Sequence, residues 1–288
     1  MTDHELGQAA LDGVKPADDD IRHWSVTTII GCLDKPALLY WSAEQTAIAA
    51  CNAAGSLTQR LEEDGEEATV KWLRDARFRR ARNVRTAAEL GSEVHEACET
   101  YALTGTRPDV DEEVAPFLDR FDEWCQAFQP SYQATEVAVY SPSYGYAGTC
   151  DAFLTVDGVR FIVDYKTSRK SFDAKGNPTH PYPEVGLQLA AYRHAELAAV
   201  WRPRRMEKYR RRYYLLSEAE RAAAVAVPEV DTGMCLHITP EHCDAYPVQC
   251  GPDIHERFLF IQEAARWQFE VSKTVIGDPL VPAKENAA

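Results

Sequence analysis

Hydrophobic and polar positions alternate most regularly between Gly148 and Ser168, GTCDAFLTVDGVRFIVDYKTS. Ala152, Leu154 and Val156 fall at period two before Asp157-Gly158, and Val159, Phe161 and Val163 do so after it. That spacing predicts two strands. The Asp-Gly step between them predicts a two-residue type I′ turn, in which both central residues need positive φ. Counting outward from a Val156–Val159 pair puts Asp151 opposite Asp164 and Lys166 opposite Thr149. Directly paired side chains stand about 4.5–5.5 Å apart, and like charges there are destabilising. Two facing carboxylates beside a lysine therefore suggest a divalent cation between them.

The same patterning places the other elements. His23 to Ile30 is apolar and β-branched, and Pro36 opens a helix through Leu39, Trp41 and Ala47 to Ala50. Residues 55–68 are polar and acidic, and a helix over 68–82 has Val70, Leu73 and Phe78 as its inward side. Helical spacing recurs over 85–103, where Val94, Cys98 and Tyr101 form an apolar stripe. His95 and Glu99, four apart, share the next face, and Gly91 permits a close approach one turn earlier. Val114 to Phe128 predicts another amphipathic helix, Ala134 to Tyr140 a strand, and Ser168 to Pro183 a loop with Lys170 and Lys175 exposed to phosphate. Glu184 to Val200 predicts a helix with Leu187, Ala191, Ala195 and Ala198 inward and Gln188 and Tyr192 one above the other. Short strands at 234–238 and 245–248 and a closing helix over 253–269 complete the chain, between a disordered tail at 1–22 and a second tail at 279–288.

Composition narrows the class. The 288 residues are 45% hydrophobic, which suits one large domain or two small ones. We expect a single domain over 23–278, with its core at 85–200 and a C-terminal extension at 201–278. No stretch is apolar for long enough to span a bilayer and no signal pattern opens the chain, so the expectation is a cytoplasmic protein without membrane attachment. A net charge of −14 argues against bulk coating of nucleic acid. Basic residues nevertheless crowd 74–85 and 202–212, which suits local phosphate contacts.

The series Gly91…His95, Gly148-Thr149-Cys150-Asp151, Asp164-Tyr165-Lys166-Thr167 and Gln188-x-x-x-Tyr192 resembles the PD-(D/E)XK nuclease superfamily. It is most similar to the RecB-like branch, which includes exonucleases related to CRISPR-associated and phage recombination enzymes. The resemblance runs over roughly 85–195 and implies an α/β (α+β) fold, a mixed central sheet flanked by helices with an active site on a hairpin. It implies an exonuclease hydrolysing phosphodiester bonds at DNA ends in phage recombination or replication, inside the host cytoplasm. An endonuclease with the same site, or a non-cleaving DNA-binding or inhibitor module, stays open as an alternative.

Carried over, His95, Asp151, Asp164 and the Tyr165 backbone carbonyl would bind one or two Mg²⁺ or Mn²⁺ ions. Lys166 would orient or deprotonate the attacking water, and Gln188 and Tyr192 would position the lysine and the strand. Glu136 resembles an acidic residue that precedes the GxxD motif. Arg85, Thr149, Thr167, Ser168, Lys170 and Arg193 are candidate DNA contacts. Some relatives hold a [4Fe–4S] cluster. Here Cys32 or Cys51 precede the core and Cys235, Cys243 and Cys250 follow it without a C-x-x-C pair, and that spacing argues against a cluster. No P-loop is present, so unwinding would need a separate helicase. A single-strand annealing protein and a homo-oligomer are further partners the resemblance leaves open.

Overall fold

A computed structural model describes residues 21–34, 36–75, 87–173, 175–199, 204–205 and 213–279. The predicted basic stretch at 74–85 lies outside these residues beyond Asp75, as does Arg85. Of 202–212 only the backbone of Arg204–Arg205 is described.

The fold is a mixed α/β sheet between two helical layers. In chain order the strands are β1 (Ile21–Ser25), β2 (Ser131–Ser141), β3 (Tyr146–Val156), β4 (Val159–Thr167), β5 (Leu197–Ala199), β6 (Arg204–Arg205), β7 (Tyr213–Leu216), β8 (Val225–Ala226), β9 (Thr232–Ile238) and β10 (Cys243–Val248). They run β10-β9-β4-β3-β1-β7-β6, with β2 on the other edge of β3, followed by β5 and β8. The helices are α1 (Val26–Ile30), α2 (Pro36–Asn52), α3 (Ala54–Arg74), α4 (Ala87–Thr104), α5 (Ala115–Phe128), α6 (Glu184–Arg193), α7 (Glu218–Ala222) and α8 (Pro252–Phe269). No described helix is long and apolar enough to cross a membrane.

Each face of the sheet has its own core. On one face α1, α6 and α8 bury Ile29, Leu189, Ala190, Tyr192 and Phe258 against Val139, Tyr146, Cys150 and Phe153. On the other, α4 and α5 bury Leu90, Val94, Cys98, Leu118, Phe121 and Trp124 against Ala152, Leu154, Val163 and Tyr165. Cys235 and Cys250 pack into the first core and Cys243 against the second, so these three cysteines are divided between the two sides of the sheet.

The central hairpin has the predicted register from Val156–Val159 to Ala152–Val163, and Asp157 and Gly158 both have positive φ, 49° and 80°. Several expectations give way to tertiary contacts. Ile21 and Arg22 begin β1 rather than ending a disordered tail. Val70, expected inward, is 53% exposed on α3, a helix bent at Gly65 (φ 82°). The helix predicted over 184–200 stops at Arg193. Glu196 is drawn across to accept from the Ser141 hydroxyl at 2.9 Å and the Ser143 amide at 3.3 Å, and Leu197–Ala199 then pairs with β2.

Two irregularities interrupt β2 and β3: the register shifts by one residue between Tyr132 and Ala134, and the side chains change phase further along. Ala134, Val137 and Val139 on β2 all meet the first core, although residues three apart on a regular strand face opposite sides. Cys150 and Phe153 on β3 do the same. Both strands therefore slip phase between the Thr135–Ala152 and Val137–Cys150 pairs, at Glu136 and Asp151. Glu136 carries the slip with φ 48°, a left-handed value uncommon away from glycine.

Candidate metal centre

The site lies where the sheet forks. One edge of β3 is shared: β1 pairs with Tyr146 and Ala147, and β4 pairs from Ala152 onward. Residues 148–151 between them have no ladder partner on that edge. Asp151 fills part of the gap with its side chain, accepting the Tyr165 backbone N–H at 2.5 Å. The expected Asp151–Asp164 ladder pair is thus replaced by a side chain standing in for a strand.

His95 reaches the fork from α4, whose Val94 and Cys98 anchor in the second core. Its Nδ1 stands 3.7 Å from Asp151 Oδ1, and its ring meets Tyr165 edge-on at 5.6 Å. Gly91, one turn earlier, lets the helix close on β4: a Cβ there would lie 3.0 Å from Thr167 Oγ1. His95, Glu136 and Asp151 each offer one ligand atom, and these atoms lie within 4.8 Å of one another. The phase slip puts Glu136 in this group. Sequence reasoning places Asp164 there and treats Glu136 as subordinate. An acidic residue one strand upstream is visible in the sequence, but its left-handed backbone is not.

Asp164 occupies a second, adjoining cluster. It is 1% exposed, and its Oδ1 accepts from Gln188 Nε2 at 2.6 Å. Its Oδ2 is buried without a well-oriented hydrogen bond and has Lys166 Nζ as ion-pair neighbour. Lys166 donates to Gln188 Oε1 at 3.1 Å, and Gln188 Nε2 also donates to the Tyr192 hydroxyl at 3.1 Å. The carboxamide thus ties the lysine, the aspartate and the tyrosine together. Tyr192 is seated by a missing side chain, because a Cβ on Gly148 would stand 2.3 Å from Tyr192 Cε1.

The electrostatics follow from burying two carboxylates close together. Burial first, then Asp164, pushes the Asp151 carboxyl up to about 8, against the pull of Lys166 and the Tyr165 amide. Burial lowers His95, more than Asp164, Glu136 and the Tyr165 carbonyl raise it, and so favours the neutral imidazole that can ligate a metal. For Lys166 burial acts downward, but Asp164 and Asp151 outweigh it and the net shift is upward.

The candidate DNA contacts divide. Thr149 faces Tyr214, hydroxyl to hydroxyl, at 3.4 Å, and Ser168 Oγ meets His237 Nε2 at 2.9 Å. Lys170 is exposed on the loop after β4, and Thr167 lies against Gly91. Arg193 is not brought to the site. Its guanidinium turns to the Val230 carbonyl at 3.2 Å and Cys250 Sγ at 3.7 Å, toward the turn end of the hairpin. Sequence reasoning missed His237, which is buried, in register with Lys166 on β9, and beside the loop that leaves the site.

No protein-family model matches the chain, and no curated protein does. Among solved structures it is similar to one described as "Crystal structure of SSO0001", at 13% identity, over 93% of this chain and 84% of that chain, with a TM-score of 0.36. A likeness at that level carries no argument about what this chain does.

Proposed function

We propose that the protein is a metal-dependent deoxyribonuclease that hydrolyses phosphodiester bonds, acting as an exonuclease on DNA ends. One observation carries the reading: a His95–Glu136–Asp151 donor set adjoins a lysine held against a buried aspartate by a glutamine. One imidazole nitrogen and two carboxylates suit a hard or borderline divalent cation such as Mg²⁺ or Mn²⁺. His95, Glu136 and Asp151 would hold the ion, with Asp164 and the Tyr165 carbonyl next to them. Such an ion supplies Lewis-acid polarisation of a phosphoryl oxygen and a more acidic bound water.

The chain's own groups do the positioning. Gln188 fixes Lys166 Nζ beside Asp164, and Tyr192 fixes Gln188. The upward shift of Lys166 keeps it an ammonium at neutral pH in the protein by itself. In that form it orients a water and offsets charge growing on the phosphate, rather than taking a proton. The preference for ends, and a role in phage recombination or replication, rest on the likeness to RecB-like exonucleases.

The test is digestion of linear and covalently closed circular DNA, each single- and double-stranded, with Mg²⁺, Mn²⁺ or EDTA. Linear DNA should be degraded, circles spared and EDTA inhibitory, and Asp164→Asn should be inactive with an unchanged circular dichroism spectrum. Circles cut as fast as linear DNA would make it an endonuclease. No cleavage of any DNA with either metal would remove the nuclease reading.

A further inference from the structure

The stretch that joins Lys166 to Gln188 is built as a rigid platform with aromatic rings on its outside. Its stem is pinned to β9 and β10. Ser168 N–H donates to the Ile238 carbonyl at 3.1 Å, Ser168 Oγ meets His237 Nε2, and the buried Ser171 hydroxyl donates to Thr239 Oγ1 at 3.0 Å. His242 Nε2 lies 3.2 Å from the Ser171 carbonyl, and His180 Nδ1 lies 3.1 Å from the Tyr246 hydroxyl. Across the loop, Thr179 N–H donates to the Ser171 carbonyl at 2.8 Å and Phe172 bridges to Pro178. The tip is closed by Asp173, whose carboxylate accepts from the Lys175 and Asn177 amides.

A segment fixed this firmly could have turned its rings inward. Instead Phe172 is 47% exposed and Tyr182 73% exposed, with Lys170 and Lys175 also on the outside. Within 168–183 Lys170 and Lys175 stand with a single acid, Asp173, while Arg169 is ion-paired with Glu113, in a chain whose net charge is −14. Exposed rings and exposed lysines on one pinned loop match the needs of an unpaired strand, whose bases stack and whose phosphates seek cations. A blunt duplex offers phosphates but keeps its bases stacked inside.

We infer that residues 168–173 and 175–183 form a stacking platform for single-stranded nucleic acid, with Phe172 and Tyr182 under the bases and Lys170 and Lys175 on the phosphates. The inference rests on the nuclease reading for its location, because the platform leads away from Lys166, and it deepens that reading by naming an unpaired end as the substrate.

Fluorescence anisotropy in EDTA, with labelled oligothymidine and a blunt hairpin duplex, tests it without turnover. The wild type should bind the single strand more tightly. Phe172→Ala with Tyr182→Ala should weaken that binding by at least about tenfold and change duplex binding little. Phe172→Leu with Tyr182→Leu keeps the apolar bulk, guards against a collapsed loop, and should weaken it similarly. Equal affinity for the two DNAs, unchanged affinity in the leucine variant, or no binding to oligothymidine overturns the platform, the last leaving the rings to a protein partner. The two readings fail separately. A protein that grips single strands through these rings but cuts nothing with Mg²⁺ or Mn²⁺ loses the nuclease and keeps the platform. One that cuts with an unaltered KM in the leucine variant loses only the platform.

Discussion

At the scale of single residues, the site depends as much on absent atoms as on functional groups. Gly148 leaves room for the Tyr192 ring, and Tyr192 in turn holds Gln188. Gly148→Ala should therefore cost about 1–3 kcal/mol in urea unfolding, the usual range for overpacking a filled core. In a Tyr192→Leu background the same change should cost much less, and full additivity would show that the ring is not what the glycine accommodates. On the nuclease reading, Lys166→Met should lower kcat by about 10²- to 10³-fold with KM for DNA nearly unchanged, since an ammonium there would act on charge at the reacting centre. A matching rise in KM would instead assign the lysine to substrate binding. Much of this is legible in the sequence, because Gly148, Asp151, Asp164, Lys166, Gln188 and Tyr192 fall in the order and spacing that carry the resemblance to PD-(D/E)XK nucleases. Glu136 is not legible as an equal partner, since nothing in a Thr-Glu-Val run announces a positive φ.

At the scale of elements, the decisive features are the fork in the sheet and the matched slip in β2 and β3. Together they turn Glu136 and Asp151 toward His95 on α4. Titration with Mn²⁺ should raise the melting temperature of the wild type; one site filled at about 100-fold over Kd adds about 2.7 kcal/mol. His95→Ala, Glu136→Gln and Asp151→Asn should each reduce that gain sharply. A Glu136→Gln protein stabilised as strongly as the wild type would remove Glu136 from the ligand set. The early end of α6 is a tertiary effect of the same kind. Glu196 satisfies the Ser141 hydroxyl and the Ser143 amide, and Leu197–Ala199 joins the sheet in place of a further helical turn. Glu196→Ala should cost about 1 kcal/mol and raise hydrogen exchange in that strand.

At the scale of the whole molecule, stability should carry the signature of histidines buried neutral. His255 on α8 is 8% exposed, meets the Tyr146 hydroxyl at 2.9 Å, and stacks on His194 at 5.0 Å. Burial, with His194 adding to it, pushes its pKa down from 6.5 to about 4. Below pH 6.5 the unfolded chain therefore binds a proton that the folded chain refuses. The stability is fully present above 6.5 and is lost as pH falls toward 4, by up to about 3 kcal/mol. His255→Gln, which keeps a donor for Tyr146 without titrating, should flatten the unfolding profile over that window; an unchanged slope would assign the acid sensitivity elsewhere.

Local chemistry was sufficient for the hairpin, its Asp-Gly turn and its register as far as Ala152–Val163, though not for the expected Asp151–Asp164 pair, and for the helices that carry His95 and Gln188. Each of these follows from period, turn preference and spacing within a few residues. The site roles of His95, Asp151, Asp164, Lys166, Gln188 and Tyr192 came from the family resemblance rather than from local chemistry, and it held Glu136 as subordinate. Which carboxylates join His95, where α6 ends, and which way Arg193 turns were settled by contacts between segments far apart in the chain. Asp151 meets Tyr165 only because β3 and β4 part where β1 takes over the edge, and a pattern of neighbours along one strand holds no record of the strand beside it.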